Sequence, residues 1–237
     1  MSPILDVKNL SLRFDTQRIL DKLNFSLERG ESLAVIGPNG SGKTVLLKAL
    51  LGMLPYEGEV WWANDIRLGY VPQKIEVDKH LPMNLLDLFN AKAEIVAIEK
   101  DEIKRTVEVV GLSESALRTP VGHLSGGQFQ KALIVFALLG KPNVILFDEP
   151  TASIDMPGEE QIYELLHRVQ DKYGVTTIVV SHDVGFVYRY ATKVLCLNQK
   201  GLCYGAPHDV LTVELLEKLY GASHKYYHHL EENHHAH

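Results

Sequence analysis

The chain has 237 residues, a formal net charge of -6, and 46% apolar against 23% charged side chains. That length can bury the core of one large α/β domain, or of a main domain carrying a sub-domain, and the acidic balance gives no electrostatic reason to expect nucleic acid. The longest apolar runs, such as residues 132–140, stop at Lys141-Pro142, well short of the about 20 residues a membrane span needs. The start, Met1-Ser2-Pro3-Ile4-Leu5-Asp6, has neither a basic opening nor a long apolar segment, so no secretory signal and a cytoplasmic protein are expected.

Residues 4–14 and 23–28 alternate apolar and polar side chains, which predicts antiparallel strands joined by a turn. A fully apolar strand follows, Leu33-Ala34-Val35-Ile36, then a glycine-rich turn and a helix ending near Gly52. Residues 58–62 and 67–71 read as two more strands. From Pro72 to about Pro142 the periodicity is helical, with Leu85, Leu86, Leu88 and Phe89 on one apolar face, and predicts a separate helical sub-domain. Residues 143–147 and 175–180 are further continuous apolar strands, with helices expected over 159–172 and 185–191. Continuous apolar strands alternating with helices argue for a parallel sheet covered on both faces.

Cys196 and Cys203 flank Asn198-Gln199-Lys200-Gly201, a predicted hairpin turn between strands 193–197 and 202–206. The expectation for a cytosolic chain is two reduced, half-buried thiols; a redox pair or a metal site is the alternative.

The turn after the first apolar strand is Gly37-Pro38-Asn39-Gly40-Ser41-Gly42-Lys43-Thr44. A buried strand ending in such a turn and opening a helix aims several backbone N–H groups and the positive helix end at one point, which binds phosphate. Lys43 can reach the outer phosphates and the Thr44 hydroxyl can ligate Mg²⁺. The strand 144–147 ends in Asp148-Glu149. Ligand-bearing ends of parallel strands lie together, so Asp148 is placed to hold Mg²⁺ and Glu149 to orient and deprotonate an attacking water, an effect worth about 10²–10⁴-fold in rate. Leu124-Ser125-Gly126-Gly127-Gln128 is a second small-residue turn opening a helix, and so a second candidate anion site.

With these motifs in this order the sequence resembles the ATP-binding subunits of ABC transporters. The resemblance implies an α/β nucleotide-binding fold with a mostly parallel core sheet, an N-terminal antiparallel β sub-domain and an inserted helical sub-domain at about 73–142, all within residues 1–221. It further implies Phe14 as the aromatic that stacks on adenine, Gln73 of Tyr70-Val71-Pro72-Gln73 as a ligand to Mg²⁺ or to the lytic water, and His182 of Ser181-His182-Asp183 as a donor to the γ-phosphate. Taken singly, Phe14 reads equally well as a core residue. ATP and Mg²⁺ are the implied cofactors. Two copies are expected to dimerise head to tail, with Ser125, Gly126, Gly127, Gln128 and Asp155 of one closing over ATP held by residues 37–44 of the other.

Two departures stand out: the basic residue after the signature is Lys131 rather than arginine, and Ala152-Ser153-Ile154-Asp155 replaces the commoner serine-alanine-leucine-aspartate. Leu81, Pro82 and Met83 are expected in a groove that docks membrane permease subunits, with the chain peripheral on the cytoplasmic face. Asp155-Met156-Pro157-Gly158, Val184-Gly185-Phe186-Val187 and Leu215-Leu216-Glu217-Lys218-Leu219-Tyr220-Gly221 look like the subfamily serving zinc and manganese importers, which work with an extracytoplasmic metal-binding protein. Iron-chelate, haem and cobalamin importers are the near alternatives, and a soluble ABC ATPase that remodels a macromolecule is the alternative from another class. A P-loop kinase or GTPase is disfavoured by 124–128 and by the missing guanine-reading Asn-Lys-x-Asp pattern.

His224, His228, His229, His234, His235 and His237 crowd the last fourteen residues. They read either as a loose site for Zn²⁺ and similar ions or as a solvated, disordered tail, dispensable for hydrolysis in both cases.

Overall fold

The computed structural model describes residues 3–152, 154–198 and 200–221, and divides the chain into two compact units, residues 1–63 with 178–237 and residues 64–177. The histidine-rich stretch and Ser153 lie outside the described residues.

The first unit opens with β1 (Leu5–Phe14) and β2 (Gln17–Leu27), which pair antiparallel from Leu5↔Leu27 to Phe14↔Gln17. Strand β3 (Ser32–Ile36) is buried at all five positions and runs into the glycine-rich turn and α1 (Lys43–Leu50). Leu46, Leu47, Ala49 and Leu50 are buried at the three-to-four-residue spacing of one helix face, each large side chain contributing roughly 1.5–3 kcal/mol. Strand β4 (Glu57–Trp62) pairs antiparallel with β1, so the N-terminal three-stranded sheet has the order β2-β1-β4.

The second unit begins with β5 (Leu68–Val71) and continues as a helical stretch: α2 (Leu85–Ile95), α3 (Lys100–Val110), α4 (Glu114–Arg118) and α5 (Gly126–Leu138). Asn84 and Ser113 start α2 and α4 by accepting the backbone N–H groups of Asp87 and Ala116. Strand β6 (Val144–Asp148), again fully buried, lies parallel to β5 in the register Leu68↔Val144 to Val71↔Phe147, and α6 (Met156–Tyr173) follows it. Lys131, the unusual basic residue, donates to the Gly111 carbonyl that ends α3, at 3.4 Å.

Strand β7 (Thr176–Val180) carries the chain from the second unit back to the first. In the first unit come α7 (Val184–Tyr190), β8 (Lys193–Asn198), β9 (Lys200–Gly205), α8 (Pro207–Val210) and α9 (Val213–Tyr220). Strand β8 runs parallel to β3, from Leu33↔Lys193 to Ile36↔Cys196, and antiparallel to β9. The buried strands β3, β6 and β7 follow from near-continuous β-branched and aliphatic residues, as parallel pairing demands.

The hairpin corrects the expectation for the cysteines. Cys196 and Cys203 are direct cross-strand partners with Cα atoms 4.9 Å apart, and they form a disulfide. Compartment suggested free thiols; register sets the separation within the range a disulfide bridges. Among the described residues no helix is long and apolar enough to cross a membrane.

Candidate nucleotide site

In the first unit the turn 37–44 is built around a close backbone approach. A Cβ on Gly37 would lie 2.0 Å from the Leu197 carbonyl oxygen of β8, so only glycine fits, and φ of +153 suits it. Gly42, at φ +100, starts α1 with its Cα hydrogens against Ile19 and Leu20 of β2. The Lys43 ammonium, buried to 5% exposure, donates to the carbonyls of Gly37 and Pro38 at 3.0 Å each and so braces the loop in the form seen here. Ser41 is 3% exposed, and among the described residues its Oγ has no hydrogen-bond partner. A buried ammonium, an orphaned hydroxyl and a cradle that a Cβ would fill together match a phosphate.

Phe14 ends β1 with 47% of its surface exposed, a free ring face rather than a core side chain. His182 sits between two fixed points. Ser181 donates its N–H to the Val35 carbonyl of β3 at 3.2 Å, and the Asp183 carboxylate caps α7 by accepting from the Phe186 N–H at 3.1 Å. The histidine is thereby held beside the strand that feeds the glycine-rich turn.

In the second unit Asp148, 2% exposed, ends β6 and accepts a long 3.4 Å hydrogen bond from the Tyr70 hydroxyl of β5. Burial, reinforced by the Asp148 charge, raises the Tyr70 pKa to about 12, so the phenol stays a donor well into the alkaline range. Glu149 has φ +47, a left-handed conformation that costs a non-glycine residue energy. Its carboxylate accepts from Gln73 Nε2 at 2.5 Å, so the two residues expected to handle water are joined.

Ser125 caps α5 in a reciprocal box: its Oγ accepts from the Gln128 N–H at 3.3 Å and its own N–H donates to Gln128 Oε1 at 3.0 Å. Ser125, Gly126, Gly127 and Gln128 share an open cavity of about 660 Å³ with Lys131 and Asp155. Asp155 precedes α6, whose close turn at Gly158 leaves 2.4 Å between a Cβ there and Ile154 Cγ2.

The structure thus joins Gln73 to Glu149, Ser125 to Gln128, and Lys43 to the head of its own loop, and sets Asp155 on the same cavity as Ser125. Thr44 and Asp148, expected on one cation, belong to different units. Sequence reasoning missed Tyr70 as a partner of Asp148. Tyr70 is the penultimate residue of β5, and its partnership shows only once β5 and β6 are paired in parallel.

A strand-loop-helix cradle with a buried lysine, together with an acid-ended strand and a capped serine-glycine helix start, defines an ATPase of the ABC type. The chain belongs to the ABC transporter family, whose profile matches residues 20–152. It is 34% identical to the zinc import ATP-binding protein ZnuC of Pseudomonas fluorescens (strain Pf0-1), over 99% of this chain and 90% of that protein. It is 36% identical to the protein of the same name from Haemophilus influenzae, over 89% of this chain and 77% of that one. Among solved structures, an inward-facing metal-chelate type ABC transporter superimposes with a TM-score of 0.82 at 29% identity, covering 93% of this chain and 89% of that one.

Proposed function

We propose that this chain is the ATP-hydrolysing subunit of an importer for a divalent metal ion, zinc before manganese. The observation that carries the substrate class is the near-full-length similarity to zinc import ATP-binding proteins. The similarity to a metal-chelate transporter keeps chelated iron as the second reading.

In this reading residues 37–44 grip the phosphates of ATP, with Lys43 released from its two carbonyls to share its charge with the outer phosphates. The Thr44 hydroxyl and the Asp148 carboxylate are the hard oxygen donors Mg²⁺ prefers, with Gln73 as an auxiliary ligand. Bound Mg²⁺ would neutralise charge developing on the transferred phosphoryl group. Glu149, aimed by Gln73, takes the proton of the attacking water. His182 donates to the γ-phosphate, and Phe14 stacks on the base. Ser125, Gly126, Gly127, Gln128 and Asp155 cap the nucleotide of a second copy. The dimer rests on membrane permease subunits supplied by an extracytoplasmic metal-binding protein, with the 81–83 segment at the contact and the chain peripheral to the membrane.

The deciding experiment is metal uptake, ion by ion, in cells lacking this chain. Selective loss of zinc uptake, restored by the wild-type chain and not by Glu149→Gln, is expected. Unchanged zinc and manganese uptake with loss of ferric-chelate uptake would replace this substrate by the second reading.

A further inference from the structure

Helix α9 reaches back to the phosphate loop. The Tyr220 hydroxyl, on the last residue of α9, accepts the Gly37 N–H at 3.1 Å, although 183 positions separate them in the chain. The helix is seated independently of that bond: Leu216 and Leu219 are buried, and Thr212 caps it by accepting from the Leu215 N–H at 3.2 Å. Tyr220 therefore arrives from a fixed platform.

Gly37 is held at both of its peptide groups. Its carbonyl takes Lys43 Nζ, its N–H takes Tyr220, and its Cα has no room to move because the Leu197 carbonyl lies where a side chain would be. The orientation of the Ile36–Gly37 peptide sets where the loop leaves β3. The following peptide, Gly37–Pro38, carries the carbonyl against which Lys43 is stored.

We propose that Tyr220 is a positioning residue for nucleotide binding: its hydroxyl pre-orders the head of the phosphate loop, acting through Gly37 and without touching the nucleotide. Without the hydroxyl, the Gly37 N–H must find another partner by rotating its peptide, and incoming nucleotide must restore the orientation at the cost of affinity. The inference rests on the reading of residues 37–44 as the phosphate site.

The test is equilibrium binding of MgADP to the full chain, with thermal unfolding measured alongside. Tyr220→Phe keeps the ring and removes only the hydroxyl. It is expected to weaken MgADP binding about fivefold, the worth of one neutral hydrogen bond, while the binding of adenosine, which has no phosphates, is unchanged. Thr192→Val is the control. It deletes the two hydrogen bonds the Thr192 hydroxyl makes with the Ser32 backbone at the far end of β3 and should lower stability without shifting MgADP affinity.

Unchanged MgADP affinity in Tyr220→Phe, or an equal loss in Thr192→Val, overturns the positioning role. Lys43→Ala separates this from the underlying reading. If it binds MgADP like wild type, the phosphate site itself is misassigned and the inference falls with it. If it loses binding while Tyr220→Phe does not, only the role of Tyr220 fails.

Discussion

Gly37 has the least room of the three glycines in the turn 37–44. An alanine methyl there would sit 2.0 Å from a backbone oxygen of β8, and no rotamer relieves a Cβ clash. Gly37→Ala should therefore abolish nucleotide binding and lower the melting temperature, both measurable on the purified chain. Glu149→Gln is the opposite kind of change. It keeps the shape and the partnership with Gln73 but removes the base, so ATP turnover should fall about 10²–10⁴-fold while MgATP affinity is retained. Tyr70 gives a pH prediction. Its pKa is raised in the fold, so the stability it contributes is present below pH 10 and is lost as pH climbs through about 12. Tyr70→Phe should flatten part of that alkaline fall in a series of unfolding midpoints.

These residues differ in how plainly the sequence announces them. Lys43, Thr44, Asp148, Glu149 and the 124–128 turn stand in short contiguous motifs whose chemistry is local. Tyr70 and Tyr220 act through partners 78 and 183 positions away, and nothing in their own neighbourhoods marks them.

At the scale of elements, the apolar strands were the most legible, because a strand buried on both faces tolerates little besides aliphatic and aromatic residues. Helix starts were less so. The helix that follows Ser125 begins at Gly126, inside what reads as a turn, because Ser125 and Gln128 cap each other and carry the two glycines into the first turn. Strand β2 begins at Gln17, well before the apolar alternation from Leu23, because antiparallel pairing with β1 continues to the Phe14↔Gln17 turn.

The hairpin of β8 and β9 was misread in chemistry though found in place. Neighbouring Leu197 presses on Gly37, and Cys196 pairs in register with Ile36, so the disulfide clips the strand against which the phosphate loop is built. Closing so short a loop stabilises a chain by about 2 kcal/mol through the unfolded state. Cys196→Ser with Cys203→Ser, or reduction of the wild type, should lower the unfolding midpoint, read with and without dithiothreitol. An identical midpoint in both conditions would mean that the bridge adds nothing.

For the whole molecule, the two units divide the chemistry. The unit formed by residues 1–63 and 178–237 carries the phosphate loop, Phe14 and His182; the unit of residues 64–177 carries Asp148, Glu149, Gln73 and the Ser125 helix start. In the proposed function the γ-phosphate is the differential contact between an open and a closed dimer, which would let hydrolysis drive a conformational cycle. The motifs made this division of labour readable, because each names its own chemistry. The substrate was legible only through likeness, since among the described residues no cluster of His, Cys, Asp or Glu is placed to hold a metal. Truncation after Gly221 should leave ATPase activity intact, as the histidine-rich stretch carries none of the proposed nucleotide-handling groups.

The most direct test of the central claim is the mass of Glu149→Gln in solution, by light scattering, with and without saturating MgATP and with the membrane partner supplied. Conversion from monomer to dimer on adding MgATP, reversed by Ser125→Arg, is the predicted result. A protein that binds MgATP and stays monomeric throughout would contradict the proposal that one copy grips the nucleotide and its twin closes over it.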